Sequence, residues 1–398
     1  MSVILATEQS AILDHEDWLI HVMRQHNEEN THNDDDNEEN THNDINESTK
    51  KMQYQELFDL RTPFLMDGQA HKVAAQLEAK VNNDNTTTEA GIKERKRKRK
   101  KEESRDESDA EVDHIQEVFT ALRQTHEFMA HFQYTPTTED FKLNNSHIRD
   151  LRKRFTEASS TTLPVLDEHS RERGLQFKTV NGEEYILPPD VHYVCDDAAN
   201  LLNHTKGKTY DLVVLDPPWQ NKYIKRQKRS HGSHHGYGLM TVESILQLPI
   251  GRVLNKGALV VIWCTNNKTH IQEFLAGLHH WGVQLVATWY WVKVTKGGEL
   301  VTSFKSNHNK RPYERLFIVR SPGLDGNSPT IPDGLVFCSV PSALHSHKPP
   351  LNEFINKYLP PQPHCLEVFA RSLIPGWTCY GLEVLRLQHS FMFQNVKQ

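Results

Sequence analysis

Between residues 210 and 384 the chain alternates two kinds of segment, and that alternation restricts its fold more than anything else in it. Seven short apolar runs rich in β-branched and aromatic residues read as strands: "YDLVVL" (210–215), "ALVVIWCT" (258–265), "QLVATWYWVKV" (284–294), "RLFIVR" (315–320), "LVFCSV" (335–340), "CLEVFA" (365–370) and "WTCYGLEV" (377–384). Amphipathic stretches at 242–248, 269–280 and 351–359 read as helices between them. Near-continuous apolar strands need cover on both faces, so the pattern predicts an α/β layered fold around a largely parallel sheet. Ligands of such sheets bind outside the carboxyl ends of the strands.

The first half is built differently. Residues 27–34 read NEENTHND and 37–44 repeat them letter for letter, with too few apolar side chains to offset the entropy of ordering. Residues 93–101, "KERKRKRKK", place eight cations in nine positions and run into acidic "EESRDESD", which reads as a solvated linker that serves as a nuclear-import signal or as a nucleic-acid tail. From 110 onward Val112, Ile115, Val118, Phe119 and Leu122 recur at helical spacing, and the prolines of "YILPPD" (185–190) mark the next boundary. The expected organisation is a mostly disordered, low-complexity region over 1–109, a helical accessory region over 110–184, and a catalytic domain over 185–390.

Charge follows the same division. The net charge is −6, yet residues 191–398 carry 22 basic and 13 acidic side chains, a surplus of +9 that suits a polyanionic partner. The five cysteines lack C-x-x-C spacing, and no stretch approaches the roughly 18 apolar residues that span a bilayer, so neither a zinc site, a disulfide framework nor a membrane segment is expected.

Asp216, Pro217, Pro218 and Trp219 follow the first of the strands. Asp-Pro is ordinary turn chemistry, and a tryptophan after it can simply cap a core. The four together also suit one difficult reaction, methylation of the exocyclic amine of adenine, whose lone pair is delocalised into the ring. A carboxylate can accept one N–H and the Pro217 carbonyl, held outward by rigid prolines, the other. Trp219 offers a face on which an unpaired base can stack.

"DPPWQNK" with "KR" shortly after, "LHSHKPPL" (344–351), and "LEVFAR" (366–371) followed by "PGWT" (375–378) closely resemble the DPPW-type S-adenosylmethionine-dependent N6-adenine methyltransferases, densely from about 185 to 389. The resemblance implies a Rossmann-like methyltransferase sheet with permuted motif order, in which the catalytic strand precedes the main cofactor strand. It implies S-adenosyl-L-methionine as cofactor, Glu367 on its ribose with Arg371 lining the same pocket, and Lys348 near its amino-acid end. Asp197, with Asp196 as the rival register, would lie beside the cofactor. The chain departs at Gly381-Leu382-Glu383, where relatives tend to carry Gly-Asn; Glu383 would then compensate for the missing amide.

On the substrate side, the basic, aromatic stretch 220–238 reads as a lid touching base and phosphates, with Asn221, Lys222 and Tyr237 as contacts. In "NHNKRPYERL" (307–316), Lys310 and Arg311 are candidate phosphate ligands and Glu314 a candidate contact to the base edge. The resemblance implies an enzyme acting on adenine N6 in small nuclear RNA bearing adenosine or 2′-O-methyladenosine, and the expectation is a nuclear, monomeric, metal-free protein with the cytoplasm as a second compartment. DNA is the rival substrate, and a catalytically silent RNA-binding subunit the rival of a different class.

Overall fold

The computed structural model describes residues 3–24, 56–65, 67–83, 107–159, 161–172, 174–220, 238–304, 311–323, 329–344 and 346–393. Its strands in chain order are β1 (Val3–Ala6), β2 (Ser10–Leu13), β3 (Leu166–Ser170), β4 (Gln176–Val180), β5 (Glu183–Leu187), β6 (Val191–Cys195), β7 (Tyr210–Leu215), β8 (Leu254–Cys264), β9 (Gln284–Lys293), β10 (Tyr313–Arg320), β11 (Val336–Ser339), β12 (Cys365–Val368) and β13 (Thr378–Tyr380). Among the described residues, eleven strands form one sheet in the order β1-β2-β11-β9-β10-β8-β7-β12-β13-β6-β3, and β4 and β5 pair as a separate hairpin. The centre from β8 through β7, β12 and β13 to β6 is parallel, as is the β2-β11-β9 flank, whereas β10 runs antiparallel to both of its neighbours.

Both faces of this sheet are apolar and both are covered. Leu212, Val214, Leu259, Val261 and Trp263 pack on one side with Phe354 and Ile355, the latter two from the short helix Asn352–Ile355. Val213, Leu215, Val260 and Ile262, the alternate residues of the same strands, pack on the other with Ile245, Leu246, Phe274 and Trp281, brought by the helices Val242–Leu246 and Lys268–Gly277 and the 3-10 turn after the latter. Strand period two thus explains why these sequences read as unbroken apolar runs rather than as an alternation.

Four expectations need correction. The sheet does not begin near residue 185: β1 and β2 form one of its edges, with β2 parallel to β11 and Ala11, Ile12 and Leu13 almost fully buried. The helices His15–Arg24 and Asp67–Asn83 are also ordered parts of the region 1–109; its repeats at 27–44 and basic run at 93–101 lie outside the described residues. Region 110–184 is helical only in its first part, through Glu107–Leu122, His126–His131, Thr138–Leu143 and Ser146–Ala158. It then supplies β3, which closes the far edge of the main sheet against β6, and β4. Finally, the run 377–384 is strand only over β13, because the chain turns at Gly381 to carry Glu383 over the strand ends.

Candidate active site

The carboxyl ends of the parallel strands gather most of the charged candidates. Asp216 follows β7 directly, and Glu367 lies on β12, where it pairs in register with Val214 of β7. Arg371 comes just after β12, and Lys348 lies on the connection that leaves β11. Glu314 belongs to the start of β10, and reaches this edge because β10 is antiparallel: Arg315, its neighbour, faces Cys264 at the end of β8. Asp216, Lys348, Glu367 and Arg371 line a single cavity with Trp263, Phe369 and Trp377. Two residues of its wall, Ser346 at φ 61 and Phe369 at φ 66, adopt the left-handed region that side chains normally avoid, a strain that clusters at functional sites.

Ion pairs tie these groups into one chain of charge. Arg371 donates from Nη1 to Asp216 Oδ2 at 3.0 Å, and from Nε to Glu383 Oε2 at 3.0 Å. Lys348 Nζ lies 3.5 Å from Asp216 Oδ1, donates to Glu314, and sits 4.9 Å above the ring of Trp263. Glu314 also accepts from Lys293, which lies 4.6 Å over Trp291. Burial opposes the charge on Lys348, but Asp216 and Glu314 raise its pKa all the same. Burial likewise opposes ionisation of Glu314, and the two lysines overcome it to hold the carboxyl far below the usual range. Glu314 is therefore the brace of Lys348, with both lysines engaged on it, rather than a group aimed at a base edge. Glu383 is held between Arg371 and Arg386.

Glu367 is the exception. Its Oε2 is buried and has no hydrogen-bond partner among the described residues. Burial, reinforced by the like charge of Asp216 and only partly opposed by Arg371, pushes its pKa up to about 8. An unpartnered buried carboxylate oxygen at a strand end is suited to hydroxyl donors, and a ribose carries two. The donor set therefore fits S-adenosylmethionine: Glu367 for the ribose hydroxyls, and the cations Lys348 and Arg371 in the same cavity for its carboxylate.

The tetrapeptide itself divides across the sheet. Asp216 points into the cavity, but Trp219 packs against the opposite apolar face, where its indole N–H donates to the Trp263 carbonyl at 2.8 Å and its ring meets Phe274 edge-on at 5.5 Å. His270 stacks on it at 6.4 Å. The Pro217 carbonyl, expected to be held outward for the amine, already accepts the Trp219 amide at 2.8 Å, and the Pro218 carbonyl accepts that of Met240 at 2.8 Å. A second lone pair on Pro217 is what remains for a substrate amine.

Asp196 and Asp197 follow β6 and do not line the cavity of Asp216. Asp196 accepts from His204 Nε2 at 2.9 Å, while the other ring nitrogen faces Asp167 at 3.1 Å. Burial opposes protonation of His204, yet the two carboxylates raise its pKa, as both nitrogens donating requires. Asp197 caps the following turn through Ala199 N at 2.9 Å, its carbonyl accepts from Tyr380 at 2.8 Å, and it is the more exposed of the two. Arg311 is exposed and donates to the Phe304 carbonyl. Asn221, Lys222, Tyr237 and Lys310 lie outside the described residues. Among the described residues no cluster of side chains could hold a metal, and no helix is long and apolar enough to cross a membrane.

Sequence reasoning missed Trp18, Trp263, Lys293 and the Asp167–His204 pair. Lys293 and Trp263 stand at the ends of strands that were recognised, a position that could have marked them; Trp18 opens the apolar stretch "WLIHVM" (18–23), which reads as a segment that docks on the fold, and nothing local marks Asp167.

Residues 210–383 match the MT-A70 family model. The N(6)-adenine-specific methyltransferase METTL4 of Mus musculus is 40% identical over 229 residues, 54% of this chain and 46% of that protein. The N6-methyladenosine RNA methyltransferase MTA1 of Pyricularia oryzae is 34% identical over 216 residues (51% and 55%), and the DNA N6-methyl methyltransferase of Caenorhabditis elegans 30% over 215 residues (54% and 56%). The chain spans about half the length of the relatives it matches.

Proposed function

We propose, from the premise that the chain carries an MT-A70 domain at residues 210–383, that it transfers a methyl group from S-adenosyl-L-methionine to N6 of adenine in nucleic acid. The observation that carries this reading is the meeting of Asp216, Lys348, Arg371 and Glu367, whose Oε2 has no partner among the described residues, in one cavity at the ends of parallel strands. It also supports a permuted motif order, since β7 with Asp216 precedes β12 with Glu367 in the chain.

Bound there, the cofactor supplies a methyl group on a sulfonium; the protein's task is to hold and polarise the amine that receives it. Arg371 and Lys348 reach Asp216 from different sides and fix the plane of its carboxylate, leaving lone pairs for an N–H of the amine. As the nitrogen gains a carbon and becomes positive, the pull of that carboxylate on the N–H strengthens, and the released proton is held at Asp216. Glu314 keeps Lys348 in place during this change of charge.

The nucleic acid is RNA, in the finest form of the proposal adenosine or 2′-O-methyladenosine in small nuclear RNA; the excess of cations over 191–398 suits a polyanion, and the basic run at 93–101 suits a nuclear protein. The protein acts as a monomer without a metal. DNA is the second reading, favoured by the name of the nematode relative. Incubating the full chain and the cofactor with separate RNA and DNA pools, followed by nucleoside mass spectrometry, tests both. N6-methylated adenine in the RNA pool is expected; its presence only in the DNA pool would replace the substrate, and its absence from both would end the proposal.

A further inference from the structure

The cavity of Asp216 has a wall that the matched domain does not supply. Trp18, on the helix His15–Arg24, lines it together with Asp216, Lys348, Glu367 and Arg371, although it lies nearly two hundred residues before the first matched position. The segment that delivers it is firmly placed. Strand β2 adds to the sheet beside β11 with Ala11 and Leu13 in the main core, and the Val3 amide donates to Glu353 at 3.0 Å, next to the cavity-lining Asn352. The helix then starts at His15, whose buried ring packs 4.5 Å from that of His347 and 4.7 Å from Phe58. His347 adjoins Lys348. One position past Trp18, Leu19 turns to a separate apolar cluster around Leu57, Phe58 and Leu151, which fixes the roll of the helix.

We propose that Trp18 contacts the bound methyl donor, forming an aromatic wall that the N-terminal segment contributes to the cofactor site. The inference rests on the donor reading given above and deepens it. A large, half-buried indole beside two cations, a carboxylate whose Oε2 has no partner among the described residues, and the aromatic rings of Trp263 and Phe369 has the chemistry to cover the methyl donor, whose purine and sulfonium are both recognised by π faces. The matched domain alone therefore has an incomplete donor site.

Calorimetry on the full chain with S-adenosylhomocysteine measures this directly. Trp18→Ala is expected to weaken binding by about tenfold, at the lower end for aromatic stacking on a base, and Trp18→Phe to stay within about threefold of wild type by the same stacking. The Michaelis constant for the nucleic acid should stay unchanged. Hydrogen exchange of wild-type protein supplies a readout that needs no variant: the ligand should slow exchange across residues 15–24. Unchanged affinity in Trp18→Ala, a loss confined to the nucleic-acid Michaelis constant, or exchange at 15–24 indifferent to the ligand would each overturn the inference. Failure of the wild-type protein to bind the ligand at all would instead refute the donor reading on which it stands.

Discussion

Glu367 gives the donor site a dependence on pH that can be worked out from its surroundings. With its pKa pushed up to about 8 by burial and by Asp216, it is mostly protonated at neutral pH. Ribose hydroxyls donating to both oxygens favour the ionised form, so binding must expel the proton first. One pKa unit corresponds to about 1.4 kcal/mol, and at pH 7 the apparent affinity is therefore about tenfold below its plateau, by the same conversion. Between pH 6.5 and 8.5 it should rise by about 25-fold, on the same single-proton titration. Isothermal titration of S-adenosylhomocysteine in buffers of different ionisation enthalpy reads both quantities, and close to one proton should leave per ligand bound at pH 7. Glu367→Gln should bind more weakly at high pH and lose the slope. A wild-type affinity flat across that range without proton release, or a slope surviving in Glu367→Gln, would refute the assignment of Glu367 to the ribose.

Asp216→Asn should lower turnover by at least about 100-fold, the scale of a lost polarising contact, while the affinity for S-adenosylhomocysteine changes little; unchanged single-turnover methylation would remove Asp216 from the mechanism. Leu382→Asn introduces a side-chain amide beside Glu383 and should tighten donor binding by about threefold, the worth of one ordinary hydrogen bond, as read by calorimetry. His347 should make the fold sensitive to acid. Burial lowers its pKa from 6.5 to about 4, so the unfolded chain binds the proton first and stability falls as pH drops from about 6.5 to about 4. The full loss is about 3 kcal/mol. Urea unfolding at pH 7 and 4.5 should show the wild type losing more than His347→Gln, by about 2–3 kcal/mol on that scale; equal losses would mean that His347 is not buried as a neutral ring.

The central strands were legible because a strand covered on both faces must be apolar throughout, and β7 matched its predicted bounds of 210–215. The edge strands were not. "LDEHS" of β3 and "QFKTV" of β4 alternate polar and half-buried residues, and their pairing draws on partners elsewhere, such as His192 for Asp167 and Tyr193 for Glu168. "VILA" and "SAIL" are four residues each and look trivial until β11 is beside them. At the site, Asp216, Lys348, Glu367 and Arg371 were recoverable because short motifs carry them to strand ends. The function of Glu314 was not, because it is set by two lysines, one 21 residues before it and one 34 after. Nor could the sequence tell that Trp219, three residues from Asp216, would turn to the other face of the sheet.

The pairing of Ser10 with Val336 also bears on how the molecule is made. During synthesis β2 leaves the ribosome before β7, β8, β9 and β10, and the strand it must lie beside follows only after all of them. Loop closure over such a span is slow, so this edge should be among the last parts to settle. A nascent protein would then have its charged residues at the strand ends before Trp18 is seated over them, and the last part of its affinity for the proposed methyl donor would arrive as one of the final events of maturation.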